Sequence, residues 1–219
     1  MPKKRNNSSI LALGICASLT SFTLFAHGSH SQDHQPSDAA RKASEGIFAD
    51  KNVMNRALSD WDGVWQSIYP YLLSGDLDPV LVDKAKKNKD KTVEQYREYY
   101  KKGYVTDINM IGIENNTIDF HTTDAVNSCQ YTYSGFKIMH YKSGSKGVRY
   151  LFECKDTHSK APKYVQFSDH IIEPQKSHHF HIYMGNESQA QLLEEMENWP
   201  TFYPISAGKN EIVHEMLHH

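Results

Sequence analysis

Residues 167–185, FSDHIIEPQKSHHFHIYMG, hold the pattern from which the rest of the chain is read. Short β-type runs flank Glu173-Pro174-Gln175-Lys176, and the proline marks a turn between two strands. A four-residue loop there pairs Ile172 with Ser177, and counting back along both strands sets His170 opposite His179. Directly opposed residues share a face, with Cβ atoms about 4.5–5.5 Å apart. Because strands alternate, His181 joins His179 on that face while His178 and Phe180 point the other way. Three imidazoles therefore converge. A one-residue slip would exchange His178 into the set, so the choice rests on the loop length.

Zinc accepts imidazole nitrogen at about 2.0–2.1 Å in a tetrahedron, and His170, His179 and His181 supply three corners. The fourth is left to water, a carboxylate or a histidine from elsewhere. Clustered imidazoles without a cation between them are costly to bury and repel one another when protonated. By ligand type zinc comes first, with cadmium, copper and nickel also suited.

Working outward, the chain after Gly103 reads as strands over 105–113, 117–122, 128–133, 136–143, 148–154, 164–172 and 179–184, with turns at 114–116, Ser134-Gly135, 143–147 and 173–176. Such a series of antiparallel strands suggests a closed or nearly closed barrel, a mainly β fold with helices added at its N-terminal side and C-terminus. Before it, residues 39–55 carry a helical pattern. Trp61, Trp65 and Tyr69 at spacings of four, with Ser59 as a cap, suggest a helical turn packing aromatics inward. Residues 79–102 predict one or two amphipathic helices with a lysine-rich solvated face. A last helix is expected over 188–199, ended by Pro200. His214, His218 and His219 close the chain, as weak metal ligands or as a frayed end.

Residues 1–26 read as a cleaved signal peptide: Lys3, Lys4 and Arg5 precede an apolar run, and Ala26 is small. The run is shorter than the roughly 20 residues a spanning helix needs, so no membrane anchor is expected after cleavage. Cys16 goes with that segment. Its three cations lost, the formal net charge moves from −2 to −5, which argues against nucleic acid as a partner. All 13 histidines remain, among them His27, His30 and His34 in a polar, flexible tail over 27–38. Residues 39–219 are then one domain. In an oxidising compartment the isolated pair Cys129 and Cys154 reads as a disulfide, with metal binding by both thiols as the competing reading.

The motifs LSDWDGVWQSIYP, KGYVTDINMIGIE, YKSGSKGVRYLFECKD, APKYVQFSDHIIEP, SHHFHIYMGN and EMENWPTFYP, in this order over roughly residues 44–204, resemble those of the ZinT (YodA) family of periplasmic zinc- and cadmium-binding proteins. The resemblance implies a lipocalin-like (calycin) barrel, with GVW at 63–65 similar to the lipocalin G-x-W signature. It also implies a buried zinc site on His170, His179 and His181 and a disulfide between Cys129 and Cys154. It further implies periplasmic zinc scavenging, with the solute-binding protein of a high-affinity zinc ABC importer as partner. HGSHSQDH is sparser in histidine than that family's tail.

A non-catalytic metal carrier, here a monomer, is the leading expectation. A zinc-dependent hydrolase is the rival, since three protein ligands and an exchangeable water also present catalytic zinc, but no HExxH-type base is evident. A lipocalin-type carrier of small hydrophobic ligands is a third reading. Imidazoles facing inward would make its lumen polar at that end.

Overall fold

The computed structural model describes residues 37–141, 143–194 and 197–218. The expected signal peptide with Cys16, the tail histidines His27, His30 and His34, and His219 lie outside the described residues.

Eight strands close in sequence order into an antiparallel barrel, as a mainly β, lipocalin-like fold requires: β1 (Gly63–Ser67), β2 (Met110–Glu114), β3 (Thr117–His121), β4 (Val126–His140), β5 (Lys146–Cys154), β6 (Tyr164–Ser168), β7 (Phe180–Gly185) and β8 (Thr201–Pro204). Strand β8 pairs back onto β1 and closes the barrel.

Alternation along the strands sends large apolar side chains inward. Trp61 meets Phe167 at a centroid distance of 5.0 Å and Phe152 at 5.9 Å, and Trp65 meets Phe180 at 4.9 Å. Rings from β1, β5, β6 and β7 thus touch across the lumen, and all are essentially inaccessible to solvent. Aromatic packing of this kind fills the barrel. The hydrophobic-ligand carrier reading therefore lacks the lumen it needs.

Residues 59–69 do not form the expected helical turn. A 3-10 turn, Leu58–Trp61, leads directly into β1. A spacing of four is also twice the strand period, and Gly63 at φ +140° adopts a conformation that breaks a helix. Both tryptophans are nevertheless core, and Trp65 Nε1 donates to the Trp61 carbonyl at 2.8 Å. The expected turn at Ser134-Gly135 is instead a bulge within one strand, with Gly135 at φ +107°.

Helices α1 (Asp38–Ser44), α2 (Tyr69–Leu73), α3 (Asp78–Asn88), α4 (Val93–Tyr104), α5 (Gln189–Glu194) and α6 (Lys209–His218) complete the fold. The one or two charged helices expected over 79–102 are two, α3 and α4; Thr92 and Gln95 form a reciprocal capping box at the start of α4. Of the helix expected over 188–199, α5 covers six residues. Helix α6 forms where only a frayed end or weak ligands had been foreseen. Apolar residues of α2, α3, α4 and α6, among them Leu72, Leu81, Tyr104 and Ile212, cluster with Tyr203 of β8 as a second core outside the barrel.

Cys129 and Cys154 form a disulfide between β4 and β5, with Cα atoms 5.9 Å apart. Both sulfurs are consumed, which removes the thiol-ligand reading. Among the described residues no helix is long and apolar enough to cross a membrane.

Candidate metal centre

The site begins where β6 stops. Ser168 pairs with His181, the register expected from the sequence, but the ladder ends there and residues 169–179 form a long loop in place of a four-residue hairpin. The cause is a buried cation. Arg56 donates to Asp169 Oδ1 at 2.7 Å, to Asp60 Oδ2 at 2.8 Å and to the Gln175 carbonyl at 2.8 Å. Burial opposes its charge, but Asp169 and Asp60 outweigh that and hold the guanidinium above its ordinary pKa. The loop backbone is drawn the same way: Met54 N–H donates to the Ile172 carbonyl and Ser177 N–H to the Asp60 carbonyl, each at 2.8 Å. With Asp169 held, His170 takes a left-handed turn at φ +64°.

On β7, Phe180 and Ile182 fill the lumen, so His181 faces outward, with His179 one strand period before it. The imidazoles thus lie on the outer wall of the barrel, not in the lumen. His170, His179 and His181 come together with one potential ligand nitrogen each, all within 4.8 Å of one another, and ring centroids 5.5–5.8 Å apart. His179 is buried and the other two half-buried; His178, expected to point with Phe180 away from the trio, is exposed, whereas Phe180 is buried.

Hydrogen bonds set the tautomers. The Thr201 hydroxyl donates to the Trp199 carbonyl at 3.0 Å, so toward His181 Nδ1, 2.7 Å away, it accepts. The Nδ1 of His181 therefore carries the proton and its lone pair falls on Nε2. Glu215 on α6 does the same for His179, with Oε1 2.8 Å from Nδ1. Tyr203 stacks on the His179 ring at 5.1 Å and 14°. Partners of this kind orient imidazoles and raise their basicity toward a metal.

A cavity of about 250 Å³ opens on the trio, walled by Tyr100, Tyr104, Trp199, Met216 and Lys84. Burial pushes the Lys84 amine below its ordinary pKa and the Tyr100 and Tyr104 phenols above theirs. Another hollow, of about 270 Å³, also reaches His170 and His181.

Sequence reasoning missed Glu215, Thr201 and Tyr203. The only signal was indirect: ligating imidazoles usually bond a carboxylate, carbonyl or water through the other nitrogen. EIVHEMLHH holds two carboxylates, Glu211 and Glu215, but nothing to say which histidine either serves. Of the other histidines foreseen as ligands, His214 and His218 lie on α6.

The class this defines is a lipocalin-like barrel whose polar site sits on the outer wall while aromatic side chains fill the lumen. Residues 39–219 match the family model described as ZinT (YodA) periplasmic lipocalin-like zinc-recruitment, and the chain belongs to that family. It is 45% identical over 182 residues to the probable metal-binding protein YrpE of Bacillus subtilis, covering 83% of this chain and 72% of that one. It is 45% identical over 185 residues to the zinc-binding lipoprotein AdcA of Streptococcus pneumoniae, covering 84% of this chain but 37% of the relative. The crystal structure of the Zn(II)-bound ZinT-like domain of that AdcA superposes with a TM-score of 0.77 at 47% identity, over 80% of this chain and 97% of the domain.

Proposed function

We propose that this chain is an exported zinc carrier that holds Zn2+ through His170, His179 and His181. The observation that carries the reading is the pair of hydrogen bonds from the Nδ1–H groups of His179 and His181 to Glu215 and Thr201, which direct two Nε2 lone pairs toward a third imidazole. Three neutral imidazoles suit a borderline cation, and the same donor set suits cadmium and other divalent transition metals.

Holding and release are favoured over catalysis. Glu215 is committed to His179, and the 250 Å³ cavity that reaches all three imidazoles is walled, among the described residues, by aromatic and apolar side chains, the Thr201 hydroxyl and Lys84, while Glu45 lines only the other hollow, which does not reach His179. Imidazole ligands must be neutral, so acidification or a competing donor entering the open corner frees the metal. Removal of the signal peptide, scavenging in the periplasm under zinc limitation and delivery to the solute-binding protein of a zinc ABC importer complete the proposal. The AdcA relatives support this last part, since the matching stretch there is one portion of a longer zinc-binding chain.

The test is a competition titration of zinc at neutral pH on the wild-type chain and on His170→Ala, His179→Ala, His181→Ala and His178→Ala. The first three are expected to lose tight binding and the fourth to keep it. Tight binding that survives all four substitutions would place the metal elsewhere.

A further inference from the structure

Helix α6 carries imidazoles of its own. His214 and His218 stand four residues apart, both exposed, with ring centroids 4.3 Å apart. Residues at this spacing are neighbours on one helical face. His218 Nδ1 donates to the His214 carbonyl at 2.7 Å, which fixes the proton on that nitrogen and the lone pair on Nε2 at the surface. Glu211, also exposed, stands one turn earlier on the same stripe. The last turn of a helix leaves carbonyls with partial negative charge, which favours a cation there.

A solvated pair of histidines needs no explanation by itself. These two are already in contact, one ring is locked in its tautomer, and the spacing is that by which two histidines on a helix grip a zinc ion. We propose that His214 and His218 form a second, weaker metal site, a two-imidazole chelate for Zn2+ or a similar borderline divalent cation, separate from the trio on the barrel wall. Water is suited to complete its coordination. Two imidazoles bind less tightly than three, so the chelate fills after the trio and empties before it. Glu215, the residue next to His214, is bonded to His179, so one turn of α6 touches both sites. Metal caught on the exposed face is thereby held beside the deeper one.

The experiment uses the full chain with one equivalent of zinc bound, so that behaviour of the first equivalent reports on the trio separately. Further zinc is titrated while the ring resonances of His214 and His218 are followed by 1H–15N NMR and the heat by calorimetry. A second binding event should shift both rings, and either His214→Ala or His218→Ala should weaken it about 100-fold, the loss of a bidentate advantage. Both positions are exposed, so neither variant threatens the fold. Ring resonances that do not move would overturn the proposal. So would a second event unchanged in both variants but abolished when His27, His30 and His34 are replaced by alanine.

Discussion

Replacing Arg56 with methionine tests whether one buried guanidinium organises the loop that brings His170 to the site. The side chain is fully buried, as is that of Asp169, and its guanidinium lies 4.0 Å over the Trp61 ring. Methionine keeps most of the packing but leaves the Asp169 carboxylate without its cation, and removing one partner of a buried ion pair costs about 3–5 kcal/mol. The Gln175 carbonyl loses its donor as well, worth about 1 kcal/mol. Asp60 is 15% exposed and water can serve it, so it adds little. Arg56→Met is therefore expected to lose about 5 kcal/mol, a large part of the roughly 5–15 kcal/mol typical of a domain.

Equilibrium unfolding in urea, zinc-free and with the disulfide intact, measures this loss. Adding Asp169→Asn removes the orphaned charge and should recover about half of it, because a neutral amide costs far less to bury than an ion. Zinc affinity should fall in Arg56→Met, since His170 follows Asp169 in a turn that Arg56 pins. A loss under about 1 kcal/mol, or Asp169→Asn costing as much in the variant as in the parent, would refute the reasoning.

Glu215→Ala should weaken zinc binding about 10–100-fold, with Glu215→Gln intermediate because the amide oxygen still accepts from Nδ1; unchanged affinity in a competition titration would show that the carboxylate does not tune the site. Replacing Cys129 and Cys154 together by alanine should cost about 3.5 kcal/mol by the chain-entropy relation for a separation of 25 residues, read from the urea midpoint, while zinc affinity stays unchanged. Burial, reinforced by Glu215, pushes the Tyr203 phenol well above its ordinary value. Its folded pKa exceeds the unfolded value of about 10, so its contribution to stability is full below that pH and is lost as pH rises beyond it. Tyr203→Phe should flatten the decline in urea midpoint between pH 9 and 11, and an identical slope would remove Tyr203 from the account.

The barrel and the trio were legible because both follow from local alternation. Val165 and Phe167 on one strand, and Phe180 and Ile182 on the next, fix which residues face inward, and a register that buries all four pairs Ser168 with His181 and so brings the residues just beyond the ladder, His170 and His179, to the same end of the same face. The loop between them was misread because its hydrogen-bond partners are remote: Arg56 lies 113 positions from Asp169. Nothing near EPQKS announces that its backbone is bonded to residues 56 and 60. Strand β8 escaped notice as four residues bounded by prolines, and β1 because Trp65, four residues from both Trp61 and Tyr69, also fits a helix. Glu215 was hidden for both reasons, on an unforeseen helix and 36 positions from the histidine it serves.

Filling the lumen with aromatic rings has a consequence for how metal is handled. A ligand inside a closed barrel must pass its mouth, whereas an ion on the outer wall meets only the side chains laid over it. Here those are Tyr100, Tyr104 and Trp199, which belong to α4 and to the segment before β8. The site itself is assembled from independent pieces: a loop pinned by Arg56, a strand end, Thr201 on β8 and Glu215 on the last helix. Bound metal favours the arrangement in which all are in place, and by linkage any partner that shifts α6 or the aromatic cover lowers the affinity by the same free energy that the metal contributes to holding them. A carrier needs that reciprocity. On the proposed function, zinc would be kept tightly while the site is closed and released when a second surface competes for the elements that close it.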